Sequence, residues 1–286
     1  MISQGQAMQS LILGTAQWGL DYGTTNTTGR LADAAIVELS AVARRIGIVG
    51  LDTAPAYGDA EERIHLAGSG WLLQTKVSGS GLDSPDIVAG LRLSLDRMGV
   101  SRVGTCLVHD WAALGSDERA IASETLVECR AAGLVERIGI SAYAEADLVT
   151  ALDSFASLGV AQVPVSVLDQ RLESSAVVAL LRSRGVVIQA RSVLLQGAAL
   201  ALPEHVIFGE HPDVTRLRAL GDPLSLCMGY VKSRPWVDEV VVAATSAGEL
   251  EQIGAAYAAA ESSFDWPSLA SSDQDLLDPR RWTRAI

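Results

Sequence analysis

The sequence predicts an α/β fold, a closed (β/α)8 barrel forming a single domain over residues 1–286. Three observations carry this. Eight short apolar runs recur along the chain, segments of helical spacing separate them, and no linker interrupts the alternation. The length agrees, because a barrel of ~250 residues is one domain. An open doubly wound sheet is the alternative that the same alternation allows.

The strand candidates follow in order: "LILGT" (11–15), "IGIVGLD" (46–52), "WLLQTKV" (71–77), "VGTCLVH" (103–109), "ERIGISA" (136–142), "VAQVPVS" (160–166), "GVVIQAR" (185–191) and "DEVVVAA" (238–244). Most are continuously apolar, the pattern of strands covered on both faces. The clearest helix candidate is "SPDIVAGLRLSLDRMG" (84–99). Ser84 reads as its N-cap and Pro85 lies in its first turn. Ile87, Leu91, Leu95 and Met98 make its apolar face, and Gly99 closes it. "DERAIASETLVECRAAG" (117–133) and "AEADLVTALDSFASLG" (144–159) read the same way, each closed by a glycine. Eight such βα units imply a parallel sheet with right-handed crossovers. The step from the seventh strand to the eighth, residues 192–237, is longer, which predicts an added loop and helix over 208–235. Residues 262–286 form a C-terminal tail, lying over the barrel mouth or docked on its outside.

Composition narrows the function. The chain has 286 residues, 49% of them hydrophobic, and a formal net charge of −12. Such a chain repels phosphate backbones and anionic membrane surfaces, so nucleic acid and membrane are not expected as partners. No apolar stretch reaches the ~18–20 residues that cross a bilayer. The first residues, MISQGQAMQS, lack the features of a signal peptide, which predicts a cytoplasmic protein. Cys106, Cys129 and Cys227 show neither disulfide nor zinc spacing, and no metal site is expected. The expected assembly is a monomer or a small homo-oligomer.

In a parallel barrel the chemistry sits at the C-terminal strand ends. The second run, inside "GIVGLDTAPAYGDAEERI" (47–64), ends on Asp52, with Tyr57 on the loop behind it. The third ends near Lys76, the fourth on His109, the fifth on Ser141 and the seventh on Arg191. Singly, each has a bland reading as a solvated charge or a satisfied core group; together they ring one mouth. A phenol has a pKa of about 10, so proton exchange near neutrality needs a stabilised anion, which an adjacent ammonium provides. Asp52 would keep Lys76 charged and aimed, and His109 would hold a carbonyl oxygen. That set suits proton donation to a carbonyl while a cofactor delivers hydride, because no side chain carries one. Trp18, Tyr22 and Trp111 are candidates for the substrate wall. His65, His205 and His211 show no ligand spacing.

These residues resemble the aldo-keto reductase family. "LDTAPAYGDAEERI" is similar to its Asp-Thr-Ala…Tyr-Gly…Glu signature, "QTKV" to its lysine strand, "LVHD" to its histidine strand and "RIGISAY" to its Gly-Val-Ser segment. The resemblance covers about residues 11 to 253. "LGTAQWGLDYG", "VLDQRL" and "ARSVLLQG" resemble a bacterial branch often found beside sugar or secondary-metabolite pathways. It implies a TIM barrel and an NAD(P)(H)-dependent oxidoreductase acting on a carbonyl or alcohol of a small polar, sugar-like substrate. It makes Tyr57 the general acid/base, with Lys76 lowering its pKa, Asp52 pairing with Lys76 and His109 orienting the carbonyl. Ser141 and Gln162 match positions that hold the nicotinamide carboxamide, and Arg191 stands where the family has a ring-stacking residue. Thr15 belongs to the cofactor set, and Ser192, Leu194, Gln196 and Gly197 match the loop along the pyrophosphate.

The last motif departs from the family. "AATSAGELEQI" (243–253) aligns with the segment for the adenosine 2′-phosphate, where NADPH-dependent members often carry Lys or Arg. Here stand Thr245, Ser246 and Glu249, and a carboxylate suits a ribose hydroxyl better than a phosphate. The cofactor is therefore NADP(H) or NAD(H), with Arg216 and Arg218 as the cations able to reach in from the long connection. Three other functions compete: a redox-neutral epimerase or dehydratase with retained cofactor, a Schiff-base lyase on Lys76, and a non-catalytic cofactor-binding subunit.

Overall fold

The computed structural model describes residues 9–260 and 263–282. Eight parallel strands close into a barrel in sequence order: β1 (Ser10–Gly14), β2 (Gly50–Asp52), β3 (Leu72–Val77), β4 (Val103–Val108), β5 (Val135–Ser141), β6 (Val160–Pro164), β7 (Val187–Arg191) and β8 (Glu239–Val242). Closure is made where β1 pairs with β8, from Ser10 opposite Glu239 to Leu13 opposite Val242. The open sheet is excluded.

Around the barrel lie α1 (Ala16–Gly19), α2 (Asp33–Arg45), α3 (Ser84–Met98), α4 (Ser116–Ala131), α5 (Glu145–Ser154), α6 (Ala176–Ser183), α7 (Pro212–Leu220), α8 (Pro223–Lys232), α9 (Ala247–Ala259) and α10 (Gln274–Leu277). Helix α3 shows why its sequence folds so. Ile87, Leu91, Leu95 and Met98 are all buried, each contributing on the order of 1.5–3 kcal/mol by leaving water. Its N-cap is Asp83 rather than Ser84, because the Asp83 carboxylate accepts the Asp86 N–H. Gly99 closes it in the left-handed conformation.

Two boundaries shift by more than two residues. The second strand starts at Gly50, since α2 runs to Arg45 and Gly47 turns the chain before the strand begins. Helix α5 stops at Ser154, short of Gly159, because Phe155 leaves helical geometry to stack on Trp111. The segment after β2 holds only a short 3-10 turn, Ile64–Ala67. Two of its charged residues point inward: Glu61 accepts from Thr75 Oγ1 at 2.6 Å, and Arg63 binds Asp33 and the Trp18 carbonyl. A helix with a solvated polar face is therefore not what this stretch can form.

The 192–237 connection carries a 3-10 segment, Leu195–Leu200, followed by α7 and α8. Among the described residues no helix is long and apolar enough to cross a membrane, and no cluster of His, Cys, Asp or Glu could hold a metal. Cys106, Cys129 and Cys227 are buried free thiols.

Candidate active site

Strand register brings the ionisable residues together. Asp52 stands beside Gln74 in the β2–β3 pairing, and Lys76 follows Gln74 two residues later on the same face of β3. The Lys76 ammonium is 2.9 and 2.8 Å from the two Asp52 oxygens, 3.0 Å from the Thr53 carbonyl and 3.2 Å from the Tyr57 hydroxyl. Its three donors are thus fully spent, and its side chain is 1% exposed. Tyr57 reaches this point because its loop is clamped to α1. A Cβ on Gly19 would lie 1.9 Å from the Tyr57 carbonyl oxygen, and one on Gly58 would lie 2.3 Å from the Gly19 oxygen. No larger residue fits at either position. His109, just past β4, sets its ring edge-on to Tyr57 at 6.1 Å.

Beneath this group lies a lattice of buried amides. Gln74 and Gln162 both donate to Asp52 Oδ1, the latter at 3.2 Å. Gln162 also donates to Gln189 at 3.2 Å, and Gln189 donates to Gln74 at 2.7 Å and to Glu239 at 2.5 Å. Arg137 closes the lattice through Glu239 at 2.9 Å and Thr105 at 3.1 Å. Asp52 is therefore a charge held from two sides, by the ammonium and by two amides.

The electrostatics follow from this packing. Burial alone would lower the Lys76 pKa, but the Asp52 carboxylate and Tyr57 outweigh it and hold the ammonium above its ordinary value. Burial likewise pushes the Tyr57 phenol up; Lys76 pulls against this, and Asp52 adds to it. The balance lies above the ordinary phenol value, not near neutrality as the residue pattern suggested. The physical reason is that burial of the phenol outweighs the pull of Lys76, which Asp52 further weakens. His109 is pushed down to about 4, chiefly by burial and then by Lys76, so its imidazole is neutral at pH 7 and has one N–H to donate.

All of this opens into one cavity of about 990 Å³, close to the upper end of the ~300–1,000 Å³ usual for ligand sites. Tyr57, His109 and Tyr22 line it at the reacting end, with Thr15, Ser141, Gln162 and Arg191. Ser192, Leu194, Gln196 and Gly197 line its side. That loop is strained: Ser192, Leu195 and Gln196 all take positive φ, 58°, 47° and 54°. Gly197 is required there, since a Cβ would meet Thr25 Oγ1 at 2.0 Å. At the far end, Thr245 donates its N–H and hydroxyl to Glu249 at 2.7 and 2.8 Å.

A model of the Aldo/keto reductase family matches residues 10–273. The chain belongs to the aldo/keto reductase family. It is an NAD(P)-dependent oxidoreductase of that type, a carbonyl reductase. Solved structures agree in fold. An aldo-keto reductase from Bacillus halodurans, in its holo form, is 18% identical with a TM-score of 0.74, over 96% of this chain and 95% of that one. One from Klebsiella pneumoniae, solved in complex with NADPH, is 19% identical with a TM-score of 0.70, over 95% of each chain. A search of curated proteins finds no match.

Several expected site residues of this reductase sit elsewhere. Trp18 is fully buried in α1 and packs into the core, so it does not wall the cavity. Trp111 is fully buried too. Its indole donates to Asp147 O at 3.1 Å and Thr150 Oγ1 at 3.0 Å, which turns it inward. Ser246 is a helix cap, accepting the Glu249 N–H at 3.2 Å. Arg218 binds the Ala201 and Gly209 carbonyls, and Arg216 pairs with Asp213 at 2.9 Å, so neither reaches the cavity. Lys76 lies behind the wall with every donor engaged, which leaves no free amine for a Schiff base.

Other residues of the cavity carry no signal in the motifs above. Tyr143, Gln17, His205, Pro279 and Arg280 line the wall, and Gln74 and Gln189 support Asp52 from below. A signal existed for Gln74, which shares strand parity with Lys76, and for Gln189, which shares it with Arg191. Nothing in the sequence places Arg280 opposite Tyr143.

Proposed function

We propose that this reductase acts on the carbonyl or alcohol of a small polar, sugar-like substrate, with Tyr57 as the proton donor and acceptor. The observation that carries the reading is the 3.2 Å contact of the Tyr57 hydroxyl with a buried ammonium, at the wall of a cavity that also holds His109. The cavity has polar groups for a nicotinamide cofactor. Ser141 and the acceptor oxygen of Gln162 would hold the carboxamide, Arg191 would contact the nicotinamide, and Thr15 with the 192–197 loop would hold the pyrophosphate. When bound, the nicotinamide supplies hydride to the carbonyl carbon.

The protein's own groups manage the oxygen. His109, neutral, donates an N–H that orients the carbonyl. Tyr57 keeps its proton in the ground state and releases it to the far more basic alkoxide as that charge develops. The phenolate left behind is held by Lys76, whose charge Asp52 maintains. In the reverse direction the same phenolate accepts the alcohol proton. Replacing Tyr57 by Phe is expected to lower kcat on the order of a thousandfold while cofactor still binds in a calorimetric titration. An unchanged rate with sugar aldehydes and ketones would sink the reading.

Cofactor choice follows from the far end. Glu249 and Thr245 stand there, and among the described residues the arginines on the cavity wall are Arg191 and Arg280. A carboxylate beside a phosphate dianion is unfavourable, whereas it accepts a ribose hydroxyl. NAD(H) is therefore used, in preference to or alongside NADP(H). Titration with both dinucleotides decides this, and about tenfold tighter NADPH binding rejects it.

A further inference from the structure

We propose that Gln74 is a positioning residue for the proton transfer. Its amide holds the Asp52 carboxylate against Lys76 from below and offsets part of its charge, so that more of the ammonium's field reaches Tyr57. The inference rests on the reading of Tyr57 as the proton carrier.

Gln74 is an unusual residue for its place. The interior of such a barrel is filled by layers of branched apolar side chains, because a buried amide costs free energy wherever its polar groups lack partners. Here Asp52 and Gln74 stand opposite each other in the β2–β3 pairing, Gln162 and Gln189 in β6–β7, and Gln189 and Glu239 in β7–β8. The three amides are buried, at 3% exposure or less. Their hydrogen bonds have one destination. Gln74 and Gln162 both donate to Asp52 Oδ1, and Gln189 braces both, donating to the Gln74 oxygen at 2.7 Å and accepting from Gln162 at 3.2 Å.

Among the described residues, Asp52 Oδ1 therefore takes three donors, the two amides and the Lys76 ammonium at 2.9 Å, while Oδ2 takes the ammonium alone at 2.8 Å. A carboxylate bonded only to an ammonium would cancel most of its field. This one cancels less, because the positive ends of two N–H bonds stand against it. At the phenol, Lys76 favours the anion and Asp52 opposes it, so an offset to Asp52 helps Tyr57 to give up its proton. Gln162 also lines the cavity, whereas Gln74 does not, so Gln74 acts on the reaction through Asp52.

The other titratable or charged groups about the phenol are His109 at its edge, with Tyr22 and Arg191 on the cavity wall. On the floor, Glu239 pairs with Arg137 at 2.9 Å. None of these side chains bonds Gln74, so a change at Gln74 reaches Tyr57 by way of Asp52 and Lys76.

The test is the pH dependence of turnover, with glyceraldehyde reduced by NADH and glycerol oxidised by NAD+ as the two directions. Gln74→Met keeps the length of the side chain and removes its donor; Gln74→Thr, suited to a strand, is the second variant. In glycerol oxidation kcat rises as Tyr57 ionises, and this limb should move to higher pH by about half a unit or more in both variants. For glyceraldehyde reduction kcat should fall roughly three- to tenfold, with KM and the calorimetric Kd of NADH unchanged. Gln189→Met leaves the Gln74 bond to Asp52 in place and should move the limb by less. An unmoved limb in a folded Gln74 variant overturns the inference, whatever its loss of stability, and so does an equal displacement by Gln189→Met. Tyr57→Phe separates the two readings. Turnover that survives it rejects Tyr57 as the proton carrier, whereas lost turnover beside an unmoved limb in Gln74→Met rejects the role of Gln74 alone.

Discussion

At the inner end of the cavity, Asp52 and Lys76 stand on β2 and β3, each buried and each fixed by at least three hydrogen-bond partners. At the far end, Thr245 is half-buried just before the cap of α9 and Glu249 is exposed on its first turn, and among the described residues their side chains bond to each other. The difference separates two tasks. The inner end cannot change without cost to the fold, because its charges survive only as a set. The far end can change freely, because water and a helix cap satisfy its groups whatever ligand is chosen.

Breaking the inner end gives the largest expected effect. Lys76→Met strands the Asp52 carboxylate in a buried site, and a loss of about 3–5 kcal/mol is expected by urea denaturation, together with loss of reductase activity. A variant of wild-type stability would erase the contrast between the two ends.

The next effect depends on pH. His109 is held neutral in the folded chain, with a pKa of about 4 against 6.5 when free. Unfolding lets it take up a proton between those values. Its contribution is therefore present above about pH 6.5 and lost as pH falls through about 4, up to ~3 kcal/mol. His109→Asn should flatten the stability profile across that window and leave it unchanged above pH 7. A profile that keeps its slope would show that the imidazole is not shielded.

Trp111 tests where the inner wall ends. Trp111→Phe removes an indole donor bonded to Asp147 O and Thr150 Oγ1, at an expected cost of ~1–2 kcal/mol. KM should hold, since the ring faces the core; a raised KM would return Trp111 to the substrate wall.

The smallest effect on stability belongs to the far end. Glu249→Gln keeps the cap geometry and should cost about 1 kcal/mol or less. It should also shift the ratio of NADPH to NADH affinity severalfold toward NADPH. An unmoved ratio would detach this carboxylate from cofactor choice.

The same contrast explains what the sequence revealed. Strand ends follow a period of two and a fixed polarity, so Asp52, Lys76, His109 and Arg191 could be placed on one mouth before any coordinates. The direction of a side chain just beyond a strand follows no such rule. Trp18 and Trp111 were therefore expected on the wall and lie in the core. The Tyr57 pKa is illegible for a related reason: it is set first by how deeply the phenol is buried and then by the distances to Lys76 and Asp52, none of which local sequence states. The meeting of Arg280 with Tyr143 joins distant parts of the chain and leaves no local trace.

The amides under Asp52 give the barrel centre a direction. A carboxamide turned end for end would set oxygen against oxygen, and carboxylates stand at both ends of the row to forbid it. The eight strands could enclose an oily plug equally well. Here they enclose a row of dipoles with one permitted orientation, running from the floor beside Arg137 to the mouth. A polar defect at the buried Gln189 therefore finds no water and passes to Gln74 and Gln162, the two amides that hold Asp52.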